Sequence, residues 1–278
     1  MRAASGSRCA VGVATKCATS RACGTFFALL FFCCLLTLQS SAAAATIGIN
    51  FYGDANGKKI ATKEAGLQPQ VNWNDVGWWL FKDLRDSAGE TTTVSVTTNN
   101  TGTFAYNADV KVDPPYGGND YLMRGYIYRS GASMTVTVAG LGSPFTTHGY
   151  DVIVYFDGPN GGKNDVDWLT RYTISANGNS VADVYGKDAK SAGWSGTFVQ
   201  AFGISAGSAT AGNYVRFHEL TASSFTLVGT PVSGDGPINA IQIDCVPEPA
   251  SASLLALGLA SAFAARVRRR ALRRRCDP

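Results

Sequence analysis

Histidine is nearly missing from this chain of 278 residues, which has only His148 and His218. They form no H-E-x-x-H and no other pair at ligand spacing, which removes the commonest zinc and general-base patterns. Cysteine is scarce where it would count. Of seven, Cys9, Cys17, Cys23, Cys33 and Cys34 lie in the first 45 residues and Cys276 lies near the end, so the long middle holds Cys245 alone. That middle can form no internal disulfide and no thiolate metal site. An excess of positive charge is absent from it too, although the whole chain carries a formal +4. Setting aside four basic residues in the first 45 and seven arginines near the end leaves 13 basic residues. Setting aside Glu248 and Asp277 leaves 18 acidic ones, a net of −5. A mildly acidic body argues against nucleic acid and anionic lipid as its partners.

Long apolar runs occur only at the two ends. Residues 1–45 read as a signal peptide. Arg2, Arg8, Lys16 and Arg21 give a positive n-region, Phe26 to Leu38 an apolar h-region of 13 residues, and Gln39 to Ala45 small residues suited to a signal peptidase. The apolar run is short for a permanent span of about 20 residues, which places cleavage between Ala43 and Thr46. At the other end, Val246-Pro247-Glu248-Pro249 precedes an apolar stretch over residues 250–265 and an arginine-rich run over 266–275. Sixteen helical residues span about 24 Å, slightly short of a hydrocarbon core of about 30 Å, and Val267 with snorkelling arginines makes up the difference. Arg266, Arg268, Arg269, Arg270, Arg273, Arg274 and Arg275 stop transfer and keep this end in the cytoplasm. The expected organisation is therefore 1–45 leader, 46–244 extracytoplasmic domain, and 246–278 sorting and anchoring segment at the inner membrane.

Pro247, Glu248 and Pro249, the apolar helix and the arginine run, in that order at the extreme C-terminus, resemble the PEP-CTERM sorting signal. The resemblance covers the last 33 residues or so and implies an exosortase as partner, acting near Pro247, Glu248 and Pro249. Ile49-Asn50-Phe51, Asn72-Trp73-Asn74, Met123-Arg124-Gly125-Tyr126 and Tyr150 to Gly158 are similar in texture to surface proteins that precede such tails, a group with no activity to carry over. The nearest structural expectation is a galactose-binding-like jelly roll.

The body itself reads as all-β, an antiparallel two-sheet sandwich. Short runs of alternating apolar residues, separated by Gly, Asn and Asp, predict strands over 47–52, 92–98, 103–106, 133–138, 150–156, 169–175, 180–185, 197–204, 214–219, 224–228 and 238–244. Ala176-Asn177-Gly178-Asn179 is a hairpin signal. Two short helices are expected, over Lys58 to Ala65 and over Asn119 to Arg129, the second with Leu122, Met123 and Tyr126 facing the core.

Three motifs offer chemistry. Gly203-Ile204-Ser205-Ala206-Gly207 matches the nucleophile-elbow pattern, but small turn-forming residues follow it where a helix is required. The loop Asp157 to Asp167 and the stretch Asp113 to Asp120 supply hard oxygen ligands. Asp157, Asn160, Asp165 and Asp167 are the candidate calcium ligands, at a spacing that fits no EF-hand, and Asn, Asp and Gly are also ordinary turn residues. Asn72, Trp73, Asn74, Trp78 and Trp79 combine indole faces with amides, the residue types that stack on a sugar ring and fix its hydroxyls. The sequence points to a non-catalytic envelope or polysaccharide-matrix protein that binds glycans and needs no cofactor. The alternatives are a polysaccharide-acting hydrolase drawing on Asp157, Asp165 and Asp167, and a purely adhesive protein.

Overall fold

The computed structural model describes residues 45–52, 59–60, 62–77, 79–105, 117–159, 166–190, 193–246 and Arg266. All of the expected leader except Ala45, the apolar stretch 250–265 and all but one of the tail arginines lie outside them, as do Trp78, Asn160, Asp165, Pro247, Glu248 and Pro249. Among the described residues, no helix is long and apolar enough to cross a membrane.

The elements, in order, are β1 (Thr46–Asn50), β2 (Asn74–Asp75), β3 (Leu80–Phe81), β4 (Ser95–Thr98), β5 (Gly102–Ala105), α1 (Gly118–Leu122), β6 (Gly125–Tyr128), β7 (Met134–Ala139), α2 (Ser143–His148), β8 (Tyr150–Tyr155), β9 (Trp168–Ala176), β10 (Asn179–Asp188), β11 (Tyr214–Leu220), β12 (Ser224–Ser233) and β13 (Ala240–Cys245). They form a five-stranded sheet in the order β11-β8-β13-β1-β2, a six-stranded sheet β10-β9-β12-β7-β4-β3, and a small ribbon β5-β6. Among the described strand pairings, only the short β1–β2 one is parallel.

The two large sheets meet because their strands alternate. In β7, Met134, Val136 and Val138 point inward while the threonines between them are half exposed. In the opposite sheet Ile47, Ile49, Val152, Val154, Ile241 and Ile243 do the same, and together with Tyr172, Ile174, Phe225 and Leu227 they make one continuous core. Period-two alternation with one buried face is what fixes this register. β8 departs from it, being buried along its whole length. Its second face, Ile153 and Tyr155, is covered by a smaller cluster that includes Trp73, Leu122, Met123, Trp194 and Ile60. The β9–β10 hairpin turns at Asn177 and Gly178, both with positive φ (52° and 80°), the backbone a two-residue primed turn requires.

The two-sheet β-sandwich expectation holds, with differences in detail. The helix expected over 119–129 stops at Leu122. Gly125 to Tyr128 instead pair with β5, and Ile127 also bridges to Ile238. No helix forms over the described part of 58–65, because Ala65 bridges Gln70 and both Ile60 and Ala65 are drawn into the cluster under Trp73. The strand expected over 197–204 is a loop tied to β11 at single points, with Val199 N held by Asn213 Oδ1 and Ala201 N by Tyr214 O. A helical turn over Ser143–His148, started by Pro144 in its first turn, was not foreseen.

Candidate functional site

Residues 72–77 and Trp79 lie at the β1 edge of the five-stranded sheet, where Asn74–Asp75 form β2, and they divide into structural and displayed ones. Trp73 is 3% exposed. Its indole N–H donates to Ala65 O (3.2 Å) and Gln70 O (3.1 Å), and its ring meets Tyr155 edge-on at 6.4 Å. The ring lies so close to β1 that a Cβ at Gly48 would stand 2.5 Å from it. Asn74 in β2 stitches two backbones, its amide donating to Gly48 O and Arg85 O while its carbonyl accepts Arg85 N. Asn72, at φ 60°, donates to Ser87 O. Trp73 thus has no ring face for a sugar, and the amide of Asn74 is taken up by backbone. The displayed aromatic is Trp79, 63% exposed and held at φ 49° with its carbonyl accepting Thr98 N. Leu80 and Phe81, on the edge strand β3, continue its apolar surface. Sequence alone could not sort these tryptophans, because burial depends on which one lands against Gly48 and Tyr155.

β8 and β10 end beside each other. Asp157 and Asp188, only 4% and 3% exposed, line a cavity of about 170 Å³ with Gly193, Ser195, Val199 and Asn213. Trp194 N donates to Asp157 Oδ2 (3.1 Å) and Gly158 N to Asp188 Oδ2 (2.9 Å), while Asp157 N donates to Asn239 Oδ1 (2.7 Å). Asp188 drew no attention in the sequence, since the end of a strand 31 positions away carries no local signal. Asp167 accepts Lys190 N at 3.0 Å, its other oxygen 3.9 Å from Lys187 Nζ. Among the described residues no group of three or more His, Cys, Asp or Glu is arranged to hold a metal ion. Of the four calcium candidates, Asp157 and Asp167 are described and each accepts a backbone N–H, while Asn160 and Asp165 lie outside the described residues.

A third polar group sits where β8 begins. Asp151 accepts from Arg216 Nε (2.9 Å) and Glu219 N (3.0 Å), and His218 Nδ1 lies 3.0 Å from it. Asp244 stands opposite Asp151 in register, accepts Thr46 Oγ1 at 3.2 Å, and lies 4.0 Å from Arg216. Burial holds the Asp244 carboxyl above the usual carboxylate range. His218 therefore belongs to an ion-pair group on the sheet. Ser205 precedes an exposed 3₁₀ turn (Ala206–Ser208), its hydroxyl 3.0 Å from that of Ser208, in a loop with no strand-to-helix elbow.

Comparison with known proteins adds one family and a general likeness. No curated protein matches the chain. Among solved structures, it is similar to a family 35 carbohydrate-binding module from Clostridium thermocellum, at 13% identity, with 53% of this chain and 90% of that one covered and a TM-score of 0.28. It is also similar to CBM35 from Paenibacillus barcinonensis, at 16% identity, with 53% and 96% covered and a TM-score of 0.27. Residues 246–270 match the PEP-CTERM protein-sorting motif, starting one residue past the last strand.

Proposed function

We propose that this is an exported protein, held at the inner membrane by the apolar stretch 250–265 and its cytoplasmic arginines, and passed by an exosortase to the cell surface or a polysaccharide matrix. Its body, residues 46–244, is a jelly-roll sandwich without catalytic function that binds glycans. The observation that carries the sorting half is the motif at 246–270, which follows Cys245 of β13 directly. An arginine run beyond an apolar stretch cannot readily cross a bilayer, so the body is left outside.

The glycan half is carried by Trp79. Trp79 is held in a left-handed backbone conformation with 63% of its surface exposed, a setting that suits stacking. A sugar ring stacks on such a face through its C–H bonds. The test is a glycan array probed with the full-length protein and with Trp79→Ala. Binding to polysaccharide fragments is expected, weakened about tenfold by the substitution, the value of a stacking contact near 1.4 kcal/mol. Absence of any hit, or hits indifferent to Trp79, would remove the glycan reading and leave an adhesive role.

A further inference from the structure

The six-stranded sheet lines up hydroxyls across its strands. From β3 inward, Leu80 stands opposite Thr97 and Thr97 opposite Thr137. Thr137 then meets Thr226, Thr226 meets Ser175, and Ser175 meets Ser180 on β10. Directly paired residues share a side of the sheet. The alternate positions, Val96, Val138 and Phe225 among them, fill the core, so this row lies on the solvent side, each member exposed or half-buried. Two residues along, Thr135 on β7 and Thr173 on β9 repeat the same chemistry. Charge is missing from the middle of this face. The outward residues of β4, β7 and β12 are serine, threonine, alanine and valine, and charges begin only on β9 and β10, where Arg171 and Asp183 form an ion pair. The outer face of the other sheet is different, being covered by the cluster of Trp73 and Trp194.

We infer that this row is the floor of an extended binding track, and that the glycan met by Trp79 is the interior of a neutral polysaccharide chain lying across the strands. Trp79 directly precedes Leu80, and its carbonyl accepts Thr98 N, so the row begins beside the indole. Six strands spaced about 4.8 Å apart give it a length of about 24 Å, the reach of an oligosaccharide rather than of one sugar. Each hydroxyl offers one donor and two acceptor positions. Thr137 and Thr226, 3.3 Å apart, use part of theirs on each other and keep the rest for a ligand. Sugar hydroxyls would replace water there at a modest net gain per bond, so affinity must come from the number of bonds made. The strands hold these side chains in place beforehand, which keeps the ordering cost low. β3 and β10 are the two edge strands. The track is therefore open at both ends and suits a chain that runs on past either edge. A face with no net charge offers an acidic or basic polymer no electrostatic complement.

The track rests on the glycan reading of Trp79, and the length of the ligand separates the two. The full-length chain in detergent is titrated with size-fractionated fragments, from monosaccharide to octasaccharide, of the polysaccharides that score on the array. Neutral polysaccharides should score, and affinity should climb with fragment length, the octasaccharide binding about thirtyfold more tightly than the disaccharide, the worth of two net hydrogen bonds. Thr226→Val keeps a β-branched residue on the strand and removes one hydroxyl from the middle of the row. It should weaken the octasaccharide about fivefold. Affinity that stays flat beyond the disaccharide and ignores Thr226→Val, while Trp79→Ala still weakens it, would overturn the track and leave the glycan site at Trp79 standing. Hits confined to acidic polysaccharides would overturn it as well. An array without hits, or with none sensitive to Trp79, would remove the glycan reading and the track together.

Discussion

Replacing Trp73 by alanine tests whether this indole is core or binding surface. The ring is buried against Tyr155 and Gly48, within the cluster that covers the outer face of β8. Truncating a buried tryptophan costs about 3–5 kcal/mol through lost burial and the cavity left behind. The hydrogen-bond part of that cost is small here, for a structural reason. Both acceptors keep a second donor, Ala65 O receiving Gln70 N and Gln70 O receiving Ala65 N, each at 3.0 Å. Neither carbonyl is orphaned when the indole N–H is removed, so Trp73→Phe should lose about 1–2 kcal/mol, mostly from reduced contact. The measurement is urea unfolding of the full-length chain in detergent, comparing midpoints at constant slope. With about 2–4 °C per kcal/mol for a domain of this size, Trp73→Ala should also melt roughly 6–20 °C lower. A stability within 1 kcal/mol of wild type, together with lost glycan binding, would refute the reasoning and return Trp73 to the surface role its sequence context suggests.

Gly48→Ala should destabilise by about 1–3 kcal/mol, since the new methyl would sit 2.1 Å from Gln70 Nε2 and 2.5 Å from the Trp73 ring; the penalty should shrink in the Trp73→Ala background, a coupling that a double-mutant cycle in urea reads directly. Arg216→Ala should cost about 2–4 kcal/mol by leaving the buried Asp151 without its guanidinium, with partial recovery in Arg216→Lys. Asp244→Asn should behave in the opposite sense at neutral pH. Burial raises the folded-state pKa of Asp244, so the folded protein holds that proton to higher pH than the unfolded chain and loses stability as pH rises through the interval. The asparagine variant is therefore expected to be more stable than wild type at pH 7, with the advantage fading on acidification and gone below about pH 4, as melting curves across pH would show.

The class of fold was legible because alternation is a local property. Met134 to Val138 announces a strand by alternation and Tyr150 to Phe156 by its short apolar run, whatever surrounds them, and Asn177-Gly178 announces its turn. The errors came where a local preference met a tertiary demand. Gly125 to Tyr128 continue a helical pattern after Leu122, but β5 and Ile238 offer backbone partners that a helix would forgo. Thr197 to Ile204 read as a strand and found only single-point ties along β11.

What the sequence determined by itself is the character of the two ends and of the body between them. The signal-peptide pattern, the arginine run and the sorting motif are linear features, and their physics follows from charge and length without any fold. Only the tertiary structure decided which tryptophan is buried, which aspartate joins Asp157, and that the first and last strands of the body lie together. Trp73 and Trp79 are six residues apart and chemically alike, and their opposite exposures follow from Gly48, a glycine that lets one indole approach β1. Thr46 and Asp244 meet through sheet register, and Asp157 and Asp188 through the packing of one sheet on the other; both are set by the summed burial of whole strands, which no single stretch of sequence contains.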